Sequence, residues 1–230
     1  MILAAGRGER MRPLSDATPK PLLRAGGKPL IVWQVEALVR AGLTDIVVNA
    51  SHHATKLIDA LGDGSAFAAR IAWSREAEPL EVAGGIATAL PLLPSGPTIV
   101  VSGDVWSAFD IASLLPRAHA MARDAAAARA HLVMVPNPSY HPNGDFVLRG
   151  SSVASAGGPT LTFGNIAIYD TALFAGIAPG VRQKLLPLFN AWIARRIVSG
   201  ERYDGPWANV GTPADLAELD ARLARTPTLT

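Results

Sequence analysis

The 230-residue sequence contains no cysteine, which excludes disulfides, Cys-ligated zinc, iron–sulfur clusters and a thiolate nucleophile. Aromatic residues supply only 6% and charged residues only 17% of the chain, against 49% hydrophobic residues. So little charge beside so much apolar material excludes a disordered chain and fits one globular domain, 1–230, with a substantial core. Charge of one sign is scarce as well. The 21 Lys+Arg and 19 Asp+Glu leave a formal +2, and no run of five or six basic residues forms a stripe for nucleic acid. No apolar stretch reaches the roughly 18 residues that cross a bilayer. Residues 1–8 hold only a short apolar run with Arg7 close behind it, which is no signal-peptide plan. A cytoplasmic protein that binds neither nucleic acid nor membrane is the expectation.

What is present is an alternation of short β-rich runs with segments of helical period, which predicts an α/β fold: a Rossmann-like mixed, mostly parallel sheet flanked by helices. Strands are predicted at 1–4, 45–49, 70–74, 98–102 and 132–135. Between them, residues 29–41 place Leu30, Trp33, Ala37, Leu38 and Ala41 on one face, with Gly42 as a stop. A second helix is predicted from Gly84 through Leu90. Asp110 reads as an N-cap for an alanine-rich helical stretch reaching Ala130, which Pro116 either kinks or restarts. Short strands follow at 146–149, 152–154 and 164–169. Helices at 183–199 and 213–224 close the pattern, the last opened by Thr212-Pro213 as N-cap and N1.

The sharpest feature follows the first strand: Leu3-Ala4-Ala5-Gly6-Arg7-Gly8-Glu9-Arg10-Met11-Arg12-Pro13-Leu14, then Thr18-Pro19-Lys20-Pro21-Leu22. Small residues and two glycines let backbone N–H groups approach phosphate oxygens that a Cβ would hold away. It is no Walker loop, because no Gly-Lys-Ser/Thr follows. The dinucleotide fingerprint fails because Met11 stands where a third glycine belongs. Arg7, Arg10, Arg12 and Lys20 crowd the same loop, a set suited to one triphosphate.

These residues resemble the signature of the sugar-1-phosphate nucleotidyltransferases, L-A-A-G-x-G-x-R-M-x-P-L with a downstream P-K-P-L. The resemblance extends along the chain. Ser102-Gly103-Asp104-Val105-Trp106 matches a Gly-Asp motif whose aspartate holds Mg²⁺. Trp207-Ala208-Asn209-Val210-Gly211-Thr212-Pro213 matches a second metal motif that usually reads W-x-D-x-G-T. The resemblance implies a GT-A-like fold with Mg²⁺ as cofactor on Asp104 and Asn209. It also implies Arg10 and Lys20 as catalytic groups on the phosphates, and a nucleotide cradle from Ala4, Ala5, Gly6 and Gly8. Asn209 departs from the pattern: its carbonyl is a hard-metal ligand with one negative charge fewer than Asp.

By position, residues 76–86 correspond to the family's base-binding segment. A carboxylate from Glu76, Glu78 or Glu81 can accept from uracil N3–H, whereas cytosine offers an acceptor there. Which of the three faces the base stays open, with Glu78 the candidate, and Gly84 and Gly85 are expected at a helix start beside the base. Residues 137–146 (N-P-S-Y-H-P-N-G-D-F) and 162–166 resemble the subgroup that uridylylates N-acetylmuramic acid 1-phosphate, with Asn143, Gly144 and Asn165 as sugar-binding candidates. A chain ending soon after the second metal motif fits a catalytic domain without an added module, its nucleotide part about 1–110 and its sugar part about 111–212.

The resemblance therefore implies transfer of UMP from UTP to a sugar 1-phosphate. Alternatives are a mannose- or glucose-1-phosphate enzyme using GTP or dTTP, and an inactive nucleotide-sugar sensor suggested by Asn209. Outside these motifs, His52-His53 reads as a loop pair pointing apart, and His119 and His131 read as solvated or capping groups near the alanine-rich helix. Trp33, Trp106 and Trp192 read as core.

Overall fold

The computed structural model describes residues 1–124 and 126–225. The chain opens with β1 (Ile2–Leu3) and a one-turn helix α1 (Leu14–Ala17). The hairpin β2 (Arg24–Ala25) and β3 (Lys28–Pro29) leads into α2 (Leu30–Arg40), β4 (Asp45–Ala50), α3 (Ala54–Leu61) and β5 (Arg70–Arg75). Then come α4 (Glu81–Ala89), β6 (Pro97–Ser102), β7 (Val105–Ser107), α5 (Leu115–Arg123) and β8 (Ala130–Val135). The C-terminal half adds β9 (Phe146–Arg149), β10 (Ser152–Ala154), β11 (Thr160–Asp170), α6 (Leu186–Ala194), β12 (Val198–Arg202), β13 (Trp207–Asn209) and α7 (Pro213–Arg225).

Nine strands form one mixed sheet in the order β5-β4-β1-β6-β11-β8-β12-β10-β9. The first four are mutually parallel, as helical crossovers require. The long β11 then runs antiparallel to both β6 and β8 and joins the two halves. β7 and β13 leave this sheet and pair with each other, Asn209 standing opposite Val105.

Both faces are covered. Ile31, Val35 and Leu38 of α2 pack on Ile2, Val48 and Val101 of the central strands. On the other face Ile86 of α4 joins Tyr169, Phe174, Phe189 and Trp192, whose rings meet edge to face at centroid distances such as 5.6 Å for Phe174 and Trp192. Each such fully buried side chain stabilises the fold by roughly 1.5–3 kcal/mol. Trp106 packs against a separate cluster of Met11, Leu30 and Leu219, and Trp33 meets its ring edge-on at 6.2 Å.

Several expectations require correction. The 183–199 helix is only Leu186–Ala194, because Arg196 turns the chain at φ 57° and Val198–Arg202 is a strand parallel to β8. The helical stretch to Ala130 ends at Arg123, since Ala130 already pairs with β11; residue 125 of that expectation lies outside the described residues. Of the two alternatives at Pro116 the second holds: it opens α5 after the 3-10 turn Ile111–Leu114. The helix expected from Gly84 starts at Glu81, which puts both glycines inside it. His131 does share a cavity with Pro116, Arg117 and Ala120 of α5, but it is neither solvated nor a cap: it lies on β8, 2% exposed, between Ser199 at 2.8 Å and Glu201 at 3.2 Å. The rings of His52 and His53 do not point apart but meet at 3.9 Å between centroids, tilted by 51°, with His53 at φ 56° at the head of α3.

Candidate active site

Leu3, Asn49 and Ser102, at or near the C-terminal ends of three parallel strands, open onto two adjoining cavities of about 750 and 470 Å³. Leu3, Val82 and Ser102 line both. This is where a doubly wound sheet leaves room for ligands, since the chain diverges to opposite faces there.

The larger cavity is walled by the glycine loop. β1 ends at Leu3, and the next amide, Ala4 N–H, donates to the Asn49 side chain at 2.7 Å instead of to a strand. Ala4, Ala5 and Gly6 then line the cavity, and a Cβ at Gly6 would meet nothing within 4 Å. Gly8 has a different task. At φ 63° it turns the chain against Lys20, whose Cβ would lie 3.1 Å from a side chain at Gly8. Its carbonyl accepts from Met11 N–H and Ser15 Oγ, both at 2.8 Å.

Lys20 is 8% exposed, and its ammonium sits 2.6 Å from Asp104 Oδ2. The pair joins the P-K-P-L turn to the end of β6. Asn209 lies beside it, because Val210 N–H donates to the Asp104 carbonyl at 3.0 Å and β13 is paired with β7. Asp104 thus already neutralises one cation. Among the described residues no three His, Asp or Glu side chains converge as a metal cage. One carboxylate and one amide carbonyl suit a hard ion that takes its other ligands from phosphate and water, as Mg²⁺ does, so the residues present fit that ion. Arg10 lines the smaller cavity, its guanidinium beside Gly211.

The three glutamates of the 76–86 segment all line the larger cavity in different states. Glu76 is 6% exposed, accepting from Asn49 at 2.6 Å and from Leu80 N–H at 2.9 Å. Burial pushes its carboxyl above the ordinary value, against those two hydrogen bonds. Glu78 pairs with Arg7 at 3.0 Å across the cavity mouth, both side chains mostly exposed. Glu81 adopts φ 61°, rare for a residue with a Cβ, and pairs with Arg182 at 2.7 Å. Gly84 lies one turn further in, where a Cβ would stand 2.3 Å from the Val181 carbonyl. Gly85 makes room for Asn49 and Glu76, each 2.7 Å from a Cβ built there. The glycine pair therefore seats α4 on its neighbours.

Asn165 lines the smaller cavity at φ 58°, in the irregularity of β11 between Phe163 and Ala167. Asn143 and Gly144 form the turn beside it. The Asn143 carbonyl accepts from Thr160 Oγ1 at 2.7 Å, and Gly144, at φ 55°, packs on Asn137. Their neighbours Tyr140, His141 and Asp145 are the ones that reach the cavity. His141 Nε2 lies 3.1 Å from Asp145 Oδ1, and Phe163 N–H donates to the other carboxylate oxygen at 2.8 Å. Sequence reasoning passed over Tyr140, Asn49 and Arg182. The first stands inside a quoted motif, while the other two owe their place to contacts across 27 and 101 residues.

A glycine-loop recess lined by three cations, each paired with a carboxylate, opens directly into a second, more apolar one, and two adjoining cavities of this kind suit a group-transfer enzyme with two substrates. The chain belongs to the nucleotidyl transferase family, whose model matches residues 1–143. It is 47% identical over 96% of both chains to N-acetylmuramate alpha-1-phosphate uridylyltransferase of Neisseria meningitidis serogroup B. It is 33% identical, over 97% of this chain and 96% of the relative, to the Caulobacter vibrioides protein of the same name. The resemblance to sugar-1-phosphate nucleotidyltransferases is thereby borne out. Among solved structures, one from Bacillus anthracis assigned as a glucose-1-phosphate thymidylyltransferase matches with TM-score 0.83 at 20% identity, over 100% of this chain and 96% of that one. HddC from Yersinia pseudotuberculosis, complexed with GMP-PN, matches with TM-score 0.76 at 20% identity, over 96% and 97%. Both carry the same α/β fold. No helix among the described residues is long and apolar enough to cross a membrane.

Proposed function

We propose that this nucleotidyltransferase moves UMP from UTP to N-acetylmuramate α-1-phosphate, releasing pyrophosphate, with Mg²⁺ as cofactor. The observation that carries the reading is 47% identity across 96% of both chains to a uridylyltransferase of that name. Salvage of a cell-wall sugar in the cytoplasm, where UTP is made, is the setting we assign to it. In our reading residues 1–110 form the nucleotide part and 111–212 the sugar part, with Gly180 and Arg182 reaching back to the larger cavity.

The nucleophile, an oxygen of the sugar phosphate, is an anion near neutral pH and needs no general base. Alignment and charge neutralisation at the α-phosphorus are the tasks left to the protein. Lys20 and Arg10 act on the phosphates, and Ala4, Ala5, Gly6 and Gly8 form the loop that admits them. Glu78 borders the base, with Gly84 and Gly85 seating the helix behind it. Asn143, Gly144 and Asn165 shape the sugar side. Asp104 and Asn209 would hold Mg²⁺, which when bound offsets negative charge on the triphosphate.

A second reading, a guanylyl transfer to mannose 1-phosphate, is favoured by one relative. The Schizosaccharomyces pombe mannose-1-phosphate guanyltransferase is 31% identical over 94% of this chain, which matches 61% of that protein's length. Pyrophosphate release from UTP, dTTP and GTP against N-acetylmuramate, N-acetylglucosamine, glucose and mannose 1-phosphates separates the two. The highest kcat/KM is expected for UTP with N-acetylmuramate 1-phosphate, and a rate with GTP or dTTP equal to that with UTP would overturn the proposal. UTP binding without any pyrophosphate release would make the protein a sensor.

A further inference from the structure

Ala4 N–H, the first amide after β1, leaves the strand ladder and donates to Asn49 Oδ1 at 2.7 Å. The other end of the same side chain, Nδ2, donates to Glu76 Oε1 at 2.6 Å, and Glu76 Oε2 accepts from Leu80 N–H at 2.9 Å. Three hydrogen bonds in series thus run from the glycine loop to the 76–86 segment, through four residues that all line the larger cavity. We infer that Asn49 is a positioning residue that holds the two walls of the nucleotide site, the Ala4–Gly6 loop and the segment from Glu76 to Leu80, in fixed relation to each other.

The chemistry of the bridge asks for an amide. Joining a backbone N–H to a carboxylate takes an acceptor and a donor on one short side chain, which Asn carries, whereas Asp has acceptors alone and Leu has the shape with neither. Asn49 is 3% and Glu76 6% exposed, so a group that loses its partner here has no water to turn to. The sheet already fixes the strands themselves: Leu3 pairs with Asn49, Asn49 with Ser74, and Glu76 N–H donates to the Ala50 carbonyl at 2.9 Å. Beyond the strand ends the ladder stops, and the side-chain bridge takes over the task of tying one wall to the other. α4 closes over it at Gly85, where a Cβ would stand 2.7 Å from both Asn49 Nδ2 and Glu76 Oε1, so the glycine leaves the bridge its room. Asn49 and Glu76 line the larger cavity and not the smaller one, which confines their effect to the nucleotide side.

The inference rests on the reading that the nucleotide occupies the larger cavity, so the experiment separates the two. UTP with Mg²⁺ and no sugar phosphate is titrated into the protein at pH 8 by calorimetry, and KM for the sugar phosphate is measured apart at saturating UTP. Asn49→Leu is expected to weaken UTP by about ten-fold or more and to change KM for the sugar phosphate less than about two-fold. Asn49→Asp, which sets two carboxylates against each other, is expected to weaken UTP as much. Adding Glu76→Gln to it rebuilds all three hydrogen bonds with the polarity reversed, the new amide donating to the new carboxylate and accepting from Leu80 N–H. That double variant is expected to bind UTP within about three-fold of wild type. If it does not recover what Asn49→Asp loses, if KM for both substrates rises together, or if Asn49→Leu keeps its UTP affinity, Asn49 does not hold the walls. Should the Leu variant not fold, as its thermal midpoint reports, Asn49→Asp and the double variant decide the question alone. A Cβ at Gly6 meets nothing within 4 Å, so Gly6→Leu fills the larger cavity from an open position and is expected to abolish UTP binding. If it leaves UTP binding unchanged, the nucleotide lies elsewhere and the inference falls with the reading.

Discussion

Lys20 and Glu76 are both buried charges, and their neighbours give them different consequences. Lys20 is neutralised by Asp104 at 2.6 Å at the lip of the larger cavity, so its charge is available to a phosphate only when that pair opens or is joined by another cation. Replacement by Met is expected to lower kcat by about 10²–10³, the size seen when one preorganised electrostatic contact is removed, while KM for the sugar phosphate changes little; steady-state kinetics checks this. Glu76 instead sits between two protein donors, and burial raises its pKa above the ordinary 4.5. Between 4.5 and the raised folded value the native state keeps a proton that the unfolded chain has released, so stability falls as pH rises through that window. The unfolding free energy of wild type minus that of Glu76→Gln is therefore expected to shrink from pH 4 to 7 in urea melts. Gly85 belongs to the same knot. A Cβ there meets Asn49 and Glu76 at 2.7 Å, so Gly85→Ala is expected to destabilise by about 1–3 kcal/mol. On a chain of this size that lowers Tm by about 2–4 °C per kcal/mol.

At the scale of elements, the ribbon of β7 and β13 carries Asp104 and Asn209 at its edge, and α7 holds the ribbon from behind. The Arg222 guanidinium lies 4.9 Å from the Trp106 ring centre and donates to the Trp207 carbonyl at 3.5 Å. α7 is itself fixed by the reciprocal cap of Thr212 and Asp215, with Asp215 N–H donating to Thr212 Oγ1 at 3.3 Å. Arg222→Leu removes a cation–π contact of roughly 0.5–2 kcal/mol and is expected to lower Tm by a few degrees while raising the Mg²⁺ concentration for half-maximal rate. β11 offers a cleaner separation of shape from contact. Asn165 stands at φ 58° where β11 steps out of register. Both Asn165→Gly and Asn165→Ala remove the side chain from the cavity and are expected to raise KM for the sugar phosphate. Ala keeps a Cβ in that backbone region and loses the local hydrogen bonding by which Asn tolerates it, so its Tm is expected to fall below that of the Gly variant by the equivalent of roughly 1–2 kcal/mol.

For the whole molecule, two cavities sharing Leu3, Val82 and Ser102 imply that a nucleotide in one touches the wall of the other. UTP at a hundred times its Kd is expected to stabilise the fold by about 2.7 kcal/mol, read as a rise in Tm that GTP at the same concentration does not match. The sequence by itself determined the parallel half of the sheet, α2, the glycine loop with Lys20 packed beside it, and the turn that carries Asp104. In each of these the chemistry is local: hydrophobic period, a cap, or a backbone conformation written into adjacent residues. It also isolated Asn209 as the position that departs from its pattern. Tertiary structure alone decided that Val198–Arg202 is a strand, because an apolar stretch after a helix extends that helix unless a partner such as β8 takes its backbone hydrogen bonds. It decided likewise that Glu76 is buried while Glu78 is not, that Gly8 serves Lys20 and Gly85 serves Glu76, and that Tyr140 and Asn209 line one cavity. Those outcomes depend on which distant side chains converge on one point, and residue order carries that information only through the folded chain.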